Sequence, residues 1–257
     1  MGMTNTANFK LFEAFAAQTG FTYVFNGETS VQGVGVLLEL IKDMGLNPLK
    51  TADFKQGLFD LFHIETVNMP DLNQGQFLLA PNHVSDMDAL LLGLLHPRIR
   101  TVAKADWANN EKLRQFLDIH YDLCGLDRAS LQSLRSLVSE SIKYFTEDDE
   151  NKHYLVFSQG TISDFVRNSL ERISTMAQKI AQRAAVPVVP VFVEQVSLYQ
   201  PTRIVFDKPA LLSPKDDFRQ WWLNRMAALQ DSLVPPARPP VLTHKHANNN
   251  KPGDEFF

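Results

Sequence analysis

The chain predicts an α/β protein: a mixed, mostly parallel sheet covered by helices, with an N-terminal helical annex. Three observations point there. From about residue 74, short β-rich runs alternate with helical patterns, which is the signature of strands joined by crossover helices. The 257 residues, 44% of them hydrophobic, suffice for one substantial core with a smaller annex. Before residue 70 the pattern is helical only. The expected division is 1–70 for the annex, 71–233 for the α/β domain, and 234–257 for an extended or disordered tail.

Residues 9–17 place Phe9, Leu11, Phe12, Phe15 and Ala16 on one helical face, opposite Lys10 and Glu13. Core packing is the favoured reading of that face. The alternative lays it on a membrane to collect lipid, although such a helix usually carries more Lys and Arg. Further helices are expected at 31–44 and 52–63, separated by Gly45-Leu46-Asn47-Pro48. Strands are then expected at 76–80, 99–103, 154–158, 187–193 and 203–206. The helices between and after them are read at 86–95, 109–118, 130–146, 168–184 and 216–231. Pro187 and Pro190 lie within the fourth strand and suggest an edge position or a ligand-facing bend. Pro235-Pro236, Pro239-Pro240 and the Asn-rich run at 248–250 open and fill the tail.

Composition excludes several function classes. A formal net charge of -4 gives no global field that favours nucleic acid. The single Cys124 forms no intramolecular disulfide and no zinc site, and is read as a small buried hydrophobe in a reducing compartment. No stretch approaches the roughly 18–20 apolar residues that span a bilayer, and the N-terminus lacks a secretory pattern, so cytoplasmic residence is expected. Met1-Gly2-Met3-Thr4-Asn5-Thr6 matches a myristoylation pattern that is short enough to arise by chance. His244 and His246 stand on a polar tail without partners and are read as solvated rather than metal-binding. No metal site is expected.

The most informative segment is Asn82-His83-Val84-Ser85-Asp86-Met87-Asp88, followed by Ala89-Leu90-Leu91-Leu92. It places a His five residues before an Asp where a strand turns into a helix, with Pro81 ending the strand and Ser85 capping the helix. Imidazole titrates near neutrality and removes a proton from a hydroxyl when a carboxylate holds the correct tautomer. The bland reading is a cap, because Ser85-x-x-Asp88 also fits the pattern in which an acid satisfies free N–H groups and suits the helix dipole.

Three later segments fall at strand ends, where α/β proteins build sites. In Gly125-Leu126-Asp127-Arg128 the cap of the next helix is Asp127 or Ser130, and Arg128 opposes the helix dipole unless it faces an anion. Phe157-Ser158-Gln159-Gly160-Thr161-Ile162-Ser163-Asp164 combines a turn glycine with hydroxyls and N–H groups suited to a small polar headgroup. Its plain alternative is an ordinary loop whose side chains only make turns and caps. Val186-Pro187-Val188-Val189-Pro190-Val191 is a buried strand with no chemistry of its own.

Together these four blocks resemble, in their order and spacing, the glycerophospholipid acyltransferase family over roughly residues 74–210. Asn82-His83-x-Ser85-x-x-Asp88 matches its first block, and Gly125-x-Asp127-Arg128 the end of its second. Phe157-x-x-Gly160-Thr161-x-Ser163 resembles the third, and 186–191 the fourth. The resemblance implies transfer of a fatty acyl group from acyl-CoA or acyl carrier protein to a hydroxyl of glycerol 3-phosphate or a lysophospholipid. His83 would act as general base, Asp88 as its orienting acid and Arg128 as the phosphate ligand. Lys104, Arg167 or Arg172 would substitute for Arg128, while Gly160, Thr161 and Ser163 would line the acceptor site. The thioester is a co-substrate and no cofactor is implied; a peripheral membrane surface is a further expected partner.

The third block departs from the family, which has Pro-Glu-Gly-Thr-Arg where this chain has Ser158-Gln159-Gly160-Thr161-Ile162. Gln159 brings no carboxylate and Ile162 clamps no phosphate. Two alternatives therefore stay open: a catalytically silent lipid-binding or scaffold protein of the same fold, and a hydrolase, for which no Gly-x-Ser-x-Gly elbow is present.

Overall fold

In the computed structural model the described residues are 51–84, 86–105, 122–127, 129–147, 151–160, 173–194 and 201–233. The expected helices at 9–17, 31–44 and 109–118 lie outside them, as do the tail and the myristoylation pattern. Helix α1 (Thr51–Leu61) leads into strand β1 (Ile64–Val67), then β2 (Phe77–Pro81), α2 (Asp86–Gly93), β3 (Ile99–Lys104) and β4 (Asp122–Leu126). Helix α3 (Leu131–Thr146), β5 (His153–Leu155), α4 (Met176–Ala184), β6 (Val188–Val193), β7 (Thr202–Phe206) and α5 (Phe218–Ser232) complete the order.

The seven strands form one sheet in the order β1-β7-β6-β2-β5-β3-β4. Every adjacent pair is parallel except β6 with β7, so the sheet is mixed and mostly parallel, as the alternation predicts. Two strands exceed the expectation, β1 and β4. Both are edges of the sheet and half-exposed, so Ile64-Glu65-Thr66-Val67 and Asp122-Leu123-Cys124-Gly125-Leu126 lack the apolar run that marks a central strand. Strand β1 lies within the stretch that reads as helical annex, yet pairs with β7 from Ile64↔Thr202 to Val67↔Val205.

The fourth block is not an edge. β6 lies between β7 and β2 and is buried along its whole length. The sheet tolerates Pro190 because its missing N–H falls on the β7 side at a break in the ladder. There the Pro190 carbonyl accepts from Asp207 N–H at 2.9 Å, and pairing resumes only at the isolated Val188↔Ala210 bridge.

Both faces of the sheet are covered. Leu78, Ala80, Tyr154 and Val188 join Leu137 and Phe145 of α3, Ala177 and Ile180 of α4, and Phe218, Trp222 and Met226 of α5 in one core. Leu79, Leu155, Val189 and Val191 alternate with the strand residues and are fully buried on the other side. Cys124 only borders the first core and is half-buried rather than buried, since its strand is an edge. Trp222 adds a polar tie, donating Nε1–H to the Ala80 carbonyl at 2.9 Å, two residues before Asn82.

Candidate active site

Because β2, β3, β4, β5 and β6 are mutually parallel, their C-terminal ends share one edge of the sheet. That edge is where the segments after Pro81, Leu126 and Leu155 emerge. The fully buried Asn82 fixes the end of β2 against the end of β6: its Nδ2 donates to the Val193 carbonyl at 2.8 Å, and its Oδ1 accepts Val193 N–H at 2.7 Å. His83 thus starts from an anchored backbone.

His83 Nδ1 lies 2.8 Å from Asp88 Oδ1. The other carboxylate oxygen accepts Val84 N–H at 2.7 Å. Asp88 is fully buried while the His83 side chain keeps 15% exposure. A carboxylate can only accept, so Nδ1 carries the proton and Nε2 holds the free lone pair. The acid therefore orients the imidazole and satisfies a free N–H near the helix start at the same time, so the cap and the dyad are one arrangement. The expected cap Ser85 lies outside the described residues.

The third block meets the first. Phe157, Ser158, Gln159 and Gly160 form a turn closed by Gly160 N–H to the Phe157 carbonyl at 3.0 Å. Gly160 has φ +69°, and a Cβ there would meet nothing within 4 Å, so the glycine is required by backbone conformation rather than space. The turn presents Gln159 Oε1 to His83 N–H at 2.8 Å. Phe157 lays its ring on the imidazole, 4.1 Å between centroids at 31°. Gln159 is thus used to hold His83, a contact invisible to sequence spacing because the two lie 76 positions apart. The buried Ser158 is tied through its carbonyl to Ser174 N–H at 2.8 Å, which joins the turn to the start of α4.

The second block ends beside α3. Of the two candidate caps, Ser130 serves, its Oγ accepting Ser133 N–H at 3.2 Å. Asp127 makes a turn, accepting Ala129 N–H at 2.9 Å. Arg128, Thr161, Ser163, Arg167, Arg172 and the Lys104 side chain lie outside the described residues. Among the described residues the site is the His83–Asp88 pair and the groups that hold it.

An acyltransferase family model matches residues 63–194 of the 257, from the start of β1 through the end of β6 and across all four blocks. The chain belongs to the acyltransferase family. The His83–Asp88 pair, the Gln159 turn and the β6 strand all lie inside the matched segment of this acyltransferase. No curated protein matches its sequence. Among solved structures it is similar to the 1-acyl-sn-glycerophosphate (LPA) acyltransferase PlsC from Thermotoga maritima, at 15% identity and a TM-score of 0.49. That likeness covers 90% of this chain and 99% of the other.

Proposed function

We propose that the protein transfers a fatty acyl group from a thioester, acyl-CoA or acyl carrier protein, to a hydroxyl of a lysophospholipid such as 1-acylglycerol 3-phosphate, or of glycerol 3-phosphate. The observation that carries this reading is the 2.8 Å contact between His83 Nδ1 and Asp88, which leaves Nε2 as the ring nitrogen for the acceptor on a side chain that keeps 15% exposure. The acceptor hydroxyl gives its proton to Nε2 as its oxygen attacks the thioester carbonyl. Asp88 stabilises the resulting imidazolium. The tetrahedral intermediate collapses with cleavage of the C–S bond, and the imidazolium returns the proton to the departing thiolate. An ester and a free thiol result, with no acyl-enzyme.

Arg128 is the residue assigned to the acceptor phosphate, with Lys104, Arg167 or Arg172 as its substitute, and Gly160, Thr161 and Ser163 are assigned to the headgroup. Neutral Gln159 is compatible with this chemistry because the bond it makes to His83 needs an acceptor oxygen and not a charge. No helix among the described residues is long and apolar enough to cross a membrane. A lipid product nevertheless suits contact with the cytoplasmic face of a membrane, through the Phe9–Ala16 segment.

Thioester consumption and product mass test the reading, with CoA and carrier-protein donors set against glycerol 3-phosphate, lysophosphatidate and other lyso-lipids. Acceptor-dependent transfer names the substrate. A folded protein that transfers nothing across that panel, while still binding lipid, is the silent scaffold instead.

A further inference from the structure

Phe157 covers a face of the His83 imidazole, with 4.1 Å between the ring centroids and a tilt of 31°. The contact is built into the backbone on both sides. Val156 N–H donates to the Leu79 carbonyl at 3.0 Å and the Phe157 carbonyl accepts Gly160 N–H at 3.0 Å, so the chain that carries the ring is fixed. From the same turn, Gln159 Oε1 accepts His83 N–H at 2.8 Å and ties the backbone of the imidazole to it. Asp88 meets the imidazole at its Nδ1 edge, 2.8 Å away. A hydrogen bond at the ring edge leaves the faces to other groups, and one face is given to an aromatic π-system. To support a neutral imidazole, any apolar side chain of similar size would serve. Once His83 takes the acceptor's proton its ring is a cation, and the negative face of an aromatic ring attracts a cation within about 6 Å of its centroid. The contact strengthens as charge develops, which is the condition for an interaction to accelerate a reaction.

We propose that Phe157 is a positioning residue for acyl transfer, its π face stabilising the imidazolium that forms on His83 as the acceptor hydroxyl loses its proton. The inference rests on the reading of His83 as general base. A second histidine supplies the internal contrast. Phe77 and His153 also stack, at 5.5 Å and 8°, but His153 bonds the Leu72 carbonyl through Nε2 and its Nδ1 is buried without a partner. No carboxylate orients that ring, so its stack serves packing. His83 combines a carboxylate on its edge, a closer aromatic face and 15% exposure, the combination that suits a ring alternating between neutral and charged.

The test replaces Phe157 in the full chain with mono-, tri- and pentafluorinated phenylalanine, a series that nearly keeps the ring's shape while weakening and finally reversing the negative potential of its face. Turnover should fall stepwise, by about 2- to 30-fold across the series, which is about 0.5–2 kcal/mol at 1.36 kcal/mol per decade. Acceptor KM and melting temperature should stay nearly constant. The pH midpoint at which the His83 ring signal titrates by NMR should move down in the same order. Phe157→Tyr should keep most of the rate, and Phe157→Leu should lose at least as much as the pentafluorinated ring. The same series at Phe77 should leave the rate unchanged. Rates that are flat across the Phe157 series, with or without a moving midpoint, would overturn the proposal and leave the ring an apolar shelf, as would an equal loss from the Phe77 series. In that case the general-base reading still stands on the loss of transfer in His83→Ala. Transfer that survives His83→Ala, or a folded wild type that transfers nothing, overturns the general-base reading itself and the proposal with it.

Discussion

Two histidines sit at opposite ends of neighbouring strands and meet opposite environments. His83 follows the C-terminal end of β2, with a buried carboxylate on Nδ1 and 15% of its side chain still accessible. His153 opens β5 in register with Phe77, the first residue of β2, and is fully buried. Its Nε2–H donates to the Leu72 carbonyl at 2.8 Å, its ring stacks on Phe77 at 8°, and the His96 ring meets it edge-on at 5.0 Å. Burial pushes the His153 pKa down to about 4, against the partial help of the Leu72 carbonyl. His96 is lowered too, by burial first and then by Arg98 and Lys55. The same imidazole is thus kept neutral and structural at one end of the sheet. At the other it is oriented by a carboxylate and keeps partial exposure.

The largest expected effect comes from making the two ends alike. Asp88→Asn should lower acyl transfer by about 10²–10⁴-fold, the range of an oriented general base, because the amide no longer fixes the Nδ1–H tautomer. Steady-state rates with acceptor in excess measure it. At the structural end the sign of the pH dependence follows from His153. Its folded pKa lies near 4 and its unfolded value near 6.5, so the unfolded chain binds more protons between them. The stabilisation is complete above about pH 6.5 and is lost as pH falls toward 4, by an order of 3 kcal/mol at about 1.4 kcal/mol per pKa unit. Urea unfolding at pH 7.5 and pH 5 should show the fall, and His153→Phe should flatten it.

A smaller effect separates holding from reacting. Gln159→Leu removes the acceptor of His83 N–H and should cost about 1–3 kcal/mol, shared between stability and rate. Gln159→Glu keeps an acceptor oxygen and should restore most of the loss. The smallest is a control on the exposed face of α3, where Lys143 and Glu147 pair at 3.0 Å with side chains 70% and 52% accessible. Lys143→Ala should change stability by less than about 0.5 kcal/mol, as solvent-screened pairs do, and a calorimetric melt is sufficient to show it.

The contrast also explains what was legible in the sequence. Central strands, the turn at Gly160 and the helix start after His83 were readable, because each depends on residues a few positions apart. The five-residue spacing of His83 and Asp88 belongs to the same class. Edge strands β1 and β4 were not, since a strand half in water carries polar residues without an apolar run. Nor were the tertiary contacts that complete the site: Asn82 reaches Val193 over 111 residues, and Gln159 and Phe157 approach His83 only because β5 pairs with β2. His153 gave no warning either, as nothing next to it in the chain says that Leu72 and Phe77 will enclose it.

The central claim is that His83 is placed for chemistry and not for stability. Its most direct test is the rate of acceptor-dependent thioester consumption for the wild type and His83→Ala, with melting temperatures taken on the same preparations. The expected result is loss of transfer by two orders of magnitude or more with a nearly unchanged melt. Retained transfer in His83→Ala, or a collapse of the melt that matches the loss of activity, would contradict it.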